Sequence, residues 1–347
     1  MMKKTLMAMG LLALAGSAAA QSQVQIFGVI DMAVTRLSGS GDTRFGLSTG
    51  GANISRLGFR GTEDLGGGLK AGFWLEAGMD PDVGGGKGTG GGLTFNRRST
   101  VSLMGNFGEV RLGRDDSATF LSTLIFDPFL TNGVGQTMAF TMLGIPGVAT
   151  AAGGAPIQIS NAISYFLPKE MGGFYGQLQF APGERASGPQ QGKYAGTRLG
   201  YQKGALNVAL ATGKLWGDQP VNDLKASNVG ASYDLGVVKP MLLWATEKRG
   251  DLKVTAIQLG AVMPMGASEF KASIGHYDTA HSNADWNKLG LGYGYNFSKR
   301  TQAYVNVGYV KNKSGANKSI GVQGLAAPGT TLGGSSNGID LGVRHFF

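Results

Sequence analysis

The charged residues that recur at strand spacing are the ones that could do chemistry in this chain, and that chemistry is electrostatic. Arg56 and Arg60 alternate with Leu57 and Phe59. On a strand this spacing sends both guanidinium groups to the face opposite the apolar pair. The same parity sets Lys70, Trp74 and Glu76 against Phe73 and Leu75, Arg98 against Val101 and Leu103, and Arg111 against Val110 and Leu112. It leaves Arg97 unassigned and puts Arg114 on the apolar face, unless the strand breaks there. A wet face lined by arginine raises the local anion concentration and opposes cations. The plainer reading is that these arginines only solvate a polar wall.

Covalent and metal chemistry have little to work with. There is no cysteine, and the histidines are His276, His281 and His345. His276 and His281 lie five apart across a strand end, a poor spacing for a shared metal, and no further Cys or His ligand is near. Gly86-Lys-Gly-Thr-Gly-Gly91 fits a dinucleotide template, but it neither follows a clear strand nor opens a helix. A Ser-His-Asp hydrolase would have to use His276 as its base. No enzyme activity, cofactor or metal is expected.

The elements that must carry these charges are strands. In Gly338-Ile-Asp-Leu-Gly-Val-Arg-His-Phe-Phe347, the residues Ile339, Leu341, Val343, His345 and Phe347 share one face, and Asp340 and Arg344 share the other. That suits a strand with lipid on one side and water on the other. The N-terminus reads as an export signal: Lys3 and Lys4, an apolar core from Leu6 to Leu14, and a small-residue cleavage site at Ala18-x-Ala20. Residues 1–20 are expected to be removed, leaving a single barrel domain over 21–347.

Composition agrees with an exported membrane strand protein. Charged residues make up 15% and glycines number 60, whereas soluble proteins carry about 25% charge. Past the signal no apolar run reaches the roughly 20 residues a spanning helix needs. A closed β-barrel is the other architecture that satisfies its backbone in lipid. The net charge of +9 is spread singly through strand-like segments, which argues against nucleic acid as a partner.

Alternating segments recur from Gln23 to the C-terminus and predict an all-β fold, a sixteen-stranded antiparallel transmembrane barrel. The second strand is expected to start at Ser55, the tenth to span Asn228–Leu235 and the eleventh Val237–Glu247. Short connections such as Lys203-Gly204 and Ser298-Lys-Arg300 alternate with long ones such as Asp80–Leu93 and Asn312–Asn337. The long set should face outside. Trp244, Trp286, Tyr293, Tyr295, Phe297 and Tyr309 are candidates for interfacial girdles. If the turn after the second strand is centred near Gly66, Arg56 and Glu76 face each other directly. Between Asp116 and Gln158 no strand pair is convincing, yet Phe120, Phe126, Phe129, Met138, Phe140 and Met142 are too apolar for a solvated tail. Residues 116–158 are expected to fold into the lumen and narrow the pore.

Several blocks resemble the general diffusion porins of β-proteobacteria, of the Neisseria, Bordetella and Burkholderia type. They are Ser55-Arg-Leu-Gly-Phe-Arg-Gly-Thr-Glu-Asp-Leu-Gly-Gly-Gly-Leu-Lys-Ala-Gly-Phe-Trp-Leu-Glu76, Phe95-Asn-Arg-Arg98, Gly108-Glu-Val-Arg-Leu-Gly-Arg114, Ser160-Asn-Ala-Ile-Ser-Tyr165 and Gly342-Val-Arg-His-Phe-Phe347. They occur along the whole mature chain in family order. The resemblance implies a homotrimer of sixteen-stranded channels, often anion-preferring, with the third external loop folded inward. With parity, it points to Arg56, Arg60, Glu76, Arg98, Arg111 and Arg114 at the constriction, while the usual acidic wall of the facing loop looks thin, with few acids beyond Asp115, Asp116 and Asp127. His345 and Phe347 look like the signal read by the barrel assembly machinery. Lipopolysaccharide and other outer-membrane lipid are the expected surroundings, and small anionic or neutral solutes the cargo.

Two positions depart from the family pattern. Gln158 stands where relatives often carry a basic residue, and Trp74 where they often carry Gln. The departures predict a weak to moderate anion preference and an apolar constriction near Met138 to Ile145. Two other functions remain open: a substrate-specific porin with a saturable track along that apolar loop, and a surface adhesin or receptor on a barrel anchor.

Overall fold

The computed structural model describes residues 23–140, 142–143, 156–183 and 190–347. The expected export signal lies outside these residues, as do Thr141 and 144–155 of the long interruption. The strands are β1 (Gln23–Ser38), β2 in two segments (Thr43–Thr49 and Arg56–Gly66), β3 (Leu69–Asp80), β4 (Arg98–Gly105) and β5 (Gly108–Asp116). A short helix α1 (Ala118–Ile125) follows. Then come β6 (Gln158–Phe166), β7 (Phe174–Ala181), β8 (Tyr194–Lys203), β9 (Leu206–Leu215), β10 (Leu224–Tyr233) and β11 (Lys239–Arg249). The last are β12 (Leu252–Met265), β13 (Ser268–Thr279), β14 (Trp286–Asn296), β15 (Thr301–Asn312) and β16 (Ser335–Phe346). Each pairs antiparallel with its sequence neighbour, and β1 pairs with β16 from Val29↔Phe346 to Ser38↔Asn337. The sheet is closed, so no edge is left with unpaired backbone groups.

Alternation decides what faces out. On β16, Ile339, Leu341 and Val343 are 44%, 62% and 52% exposed, while Asp340 between them is fully covered. Exposed apolar side chains form the outer wall; the covered polar ones look inward. The inner wall is covered by loops. Ser117 caps α1 by accepting the Phe120 N–H, and the helix lies on the inner faces of β9 and β10, where Asn228 donates to the Thr119 carbonyl at 2.9 Å. Further along, the Val134 N–H donates to Asp340, the Met138 N–H to the Tyr277 hydroxyl and the Leu143 N–H to Glu247.

Close approach explains two inward glycines. A Cβ on Gly230 would stand 1.9 Å from the Phe126 ring, and one on Gly308 would stand 2.1 Å from the Val134 carbonyl oxygen. The connection between β15 and β16 also turns inward. Ile320 is buried with Phe126, Val134, Trp286 and Val310 in one apolar cluster, and Lys318 donates to the Met142 carbonyl.

Three sequence expectations are corrected. β2 begins at Thr43 rather than Ser55 and is broken over residues 50–55, because the Asp31 carboxylate accepts the N–H groups of Ala52 and Asn53 and pulls the chain inward. β10 and β11 are shifted because Asp234 accepts the Gly236 N–H and fixes a turn ahead of Lys239. Trp286 is no girdle residue. It points inward, is 1% exposed and stacks on Tyr277 at 4.9 Å. Trp244, Tyr293, Tyr295, Phe297 and Tyr309 are all exposed on the outer wall.

Candidate constriction site

The inner wall of β2 to β5 gathers the charges that parity selected. Arg56, Arg60, Glu76, Arg98 and Arg111 all lie on the strand positions opposite the exposed Phe73, Val101, Leu103, Val110 and Leu112. Glu76 is the hub of one group. It accepts Arg97 Nε at 2.6 Å and Trp74 Nε1 at 3.3 Å, and pairs with Arg56 Nε at 3.5 Å. Asp115 anchors a second group, pairing with Arg98 at 3.6 Å and with Arg111. Arg111 also donates to Glu109 at 2.8 Å, and Ser102 donates to the same carboxylate at 2.6 Å.

Aromatic rings fix the guanidinium planes. Arg98 lies over Trp74 at 4.3 Å, Arg60 sits between Trp74 and Phe27 at 4.9 and 5.1 Å, and Arg111 lies over Phe166 at 4.1 Å. Each such contact contributes about 0.5–1 kcal/mol where water still reaches it. Its larger effect is to hold the charge at a set height and angle. Trp74 thus serves as a rail for two arginines.

The expected pairing of Arg56 directly opposite Glu76 is corrected. Arg56 faces Gly78 and Glu76 faces Gly58, a shift of two, because the chain bulges between Asp64 and Gly66 and turns through Gly67 and Gly68. Both glycines have positive φ, 60° and 82°, as a tight two-residue hairpin requires. The ion pair survives diagonally. At Arg114 the alternation breaks, because the register against β6 shifts between Gly113 and Asp115; its Cα faces Ser99, and it donates to the Asn96 carbonyl and the Ser160 hydroxyl.

Asp127 and Asp116, two of the few acids expected on the loop wall, are held by the loop itself. Asp127 is fully buried and accepts the N–H groups of Thr131 and Thr137 at 2.9 and 3.0 Å, as well as Gln258 Nε2 at 3.2 Å. Burial pushes its carboxyl up, against the pull of those donors. It clasps the loop rather than lining it. Asp116 accepts Gln158 Nε2 at 2.9 Å across the loop root. The apolar lining expected near Met138 is partly absorbed, since Ala139 and Met142 are buried in the loop–wall cluster.

Sequence reasoning missed Arg97, Glu109 and Arg198. Arg97 precedes the strand, so parity could not assign it. Arg198 was within reach of parity, because Leu199 points outward with 46% exposure. Its guanidinium stacks on Tyr175 at 4.8 Å, and among the described residues no carboxylate pairs with it. Beside it, the Gln177 side chain is 3% exposed with neither polar atom bonded. At the C-terminus, His345 Nδ1 meets the Thr301 hydroxyl at 2.9 Å, and Phe347 exchanges backbone hydrogen bonds with Gly28.

A family model described as Gram-negative porin matches residues 5–315. The chain belongs to the Gram-negative porin family. This porin is 40% identical over 359 residues to outer membrane porin protein 32 of Delftia acidovorans, with 100% of both chains covered. It is 29% identical to an outer membrane porin protein of Bordetella pertussis, over 90% of this chain and 95% of that one. Among solved structures, the anion-selective porin from Comamonas acidovorans matches with a TM-score of 0.86 at 38% identity, covering 94% of this chain and 100% of the other. The porin is a protein of the outer membrane.

Proposed function

We propose that this porin is a water-filled channel for passive diffusion of small hydrophilic solutes, with a weak to moderate preference for anions and no enzymatic step. The observation that carries the preference is the imbalance of charge where β2 to β5 and β8 line the path. Arg56, Arg97, Arg98 and Arg111 share Glu76, Glu109 and Asp115, while Arg60 and Arg198 have no carboxylate partner among the described residues. Low-dielectric walls focus that surplus into the aqueous path. The described residues 118–140 narrow the path from the side of β9 to β16. Three copies assemble as a trimer after residues 1–20 are removed, with His345 and Phe347 presented to the assembly machinery and lipopolysaccharide around the barrel. The solved relative's printed description as anion-selective supports the sign of the preference. The test is the zero-current potential of the purified channel in a KCl gradient. A potential of anion sign is expected; a clear cation sign would overturn the reading.

A further inference from the structure

The outer wall of β9 to β12 carries three registered rows that the channel reading does not use. At the end bearing the long connections, Lys214 faces Lys225, Lys225 faces Lys248, and Lys248 faces Lys253 across successive strands. One repeat deeper, Thr212, Ser227, Thr246 and Thr255 face one another in the same way. The Thr212 and Ser227 hydroxyls lie 2.8 Å apart. A further repeat deeper are Leu210, Val229, Trp244 and Ile257, 50%, 49%, 39% and 48% exposed. A cationic row, a hydroxyl row and an apolar row are thus stacked in order of depth. Inter-strand spacing makes the lysine row about 14 Å wide.

Like charges directly opposed in a sheet are destabilising, so this arrangement requires compensation. Lys214 has some, since Asp223 pairs with it at 2.6 Å. Two more outward acids lie nearby, Asp278 opposite Thr255 and the exposed Asp251 in the turn between Lys248 and Lys253. Among the described residues, Lys225, Lys248 and Lys253 pair with no carboxylate. Lys193, stacked on Trp216 at 5.0 Å, adds another cation beside the row. Next to Lys214 and Lys225, an outward groove of about 640 Å3 runs between Leu178, Phe180, Thr212 and Ser227.

We infer that this face is a binding site for phosphate-bearing lipid headgroups of the outer leaflet. The lysine row takes the phosphates, the hydroxyl row hydrogen-bonds the sugar and ester oxygens beneath them, and the apolar row and groove take acyl chains. The order of rows matches the order of groups in such a lipid read from headgroup to tail. The long-connection end is the external one in this arrangement. The inference rests on the outer-membrane barrel and is independent of ion preference.

The test is native mass spectrometry of the folded protein with bis-phosphorylated lipid A and with the same lipid dephosphorylated. The wild type should retain the phosphorylated lipid and release the other. Lys225→Gln, Lys248→Gln and Lys253→Gln together should weaken retention about a hundredfold, roughly fivefold per lysine, and the three Arg replacements should restore it. Heat-modifiable gel mobility checks that each barrel is folded; if the triple Gln variant is not, Lys248→Gln alone is read. Equal retention by wild type and Gln variant, or retention of both lipids alike, overturns the inference. So does a wild type that retains neither, as when a neighbouring protomer covers the wall. Conductance and KCl zero-current potential should not change in these variants, so a failed channel reading is recognised separately.

Discussion

Arg198 and Arg111 line the same inner wall but are held differently, and their removal should have separable effects. Arg111 satisfies Asp115 and Glu109; Arg198 stacks on Tyr175, with no acid partner among the described residues. Arg111→Gln leaves two poorly hydrated carboxylates short of donors and should cost about 1–3 kcal/mol in urea unfolding. Arg198→Gln should leave the unfolding midpoint within error while moving the KCl zero-current potential toward cations. Comparable destabilisation by both would show that Arg198 is structural. The opposite shift is expected of Glu76→Gln, which frees Arg56 and Arg97. Its potential should move further toward anions, and a move toward cations would contradict the assignment of Glu76 as the compensating charge.

The inner loop and the strands behind it fit through missing side chains. Gly230→Ala puts a methyl group into the Phe126 ring position, and overpacking of this kind costs about 1–3 kcal/mol. The loop segment after α1 should lift from β10, so single-channel conductance in planar bilayers should rise or become noisy; an unchanged, quiet conductance argues that the loop does not limit flow. The external connection after β15 depends on Asp285. The Thr279 N–H and then Lys313 hold its carboxyl below the ordinary range. A depressed carboxyl contributes stability above its unfolded pKa and loses it as pH falls through the folded value. Hydrogen exchange at Thr279 and at residues 313–316 should therefore stay slow through neutral and mildly acidic pH and quicken only in strong acid. Asp285→Asn should abolish that dependence.

For the whole molecule, the seam between β1 and β16 is where a sheet becomes a tube. Beyond the last paired strand residue, Phe347 and Gly28 exchange two backbone hydrogen bonds at 3.1 and 3.2 Å, and the ring lies where a Gly28 Cβ would be. Deleting Phe347 should lower the yield of heat-modifiable folded barrel in refolding from urea; an unchanged yield would mean that the seam closes without it. The sequence by itself determined which side chains face lipid and which face water, because a strand alternates with period two and Leu57, Phe73, Val101 and Val110 each declare the parity of their neighbours. That made the barrel, the strand count and the inward arginines legible. Partnership was decided only by the tertiary structure. The bulge at Asp64 and Gly66 moved Glu76 two places from Arg56, loop burial turned Asp127 into a clasp, and the strands that flank β8 bring Tyr175 rather than an acid against Arg198 among the described residues. Parity is local to one strand, whereas ion pairs depend on turn geometry, on bulges and on where a distant loop comes to rest.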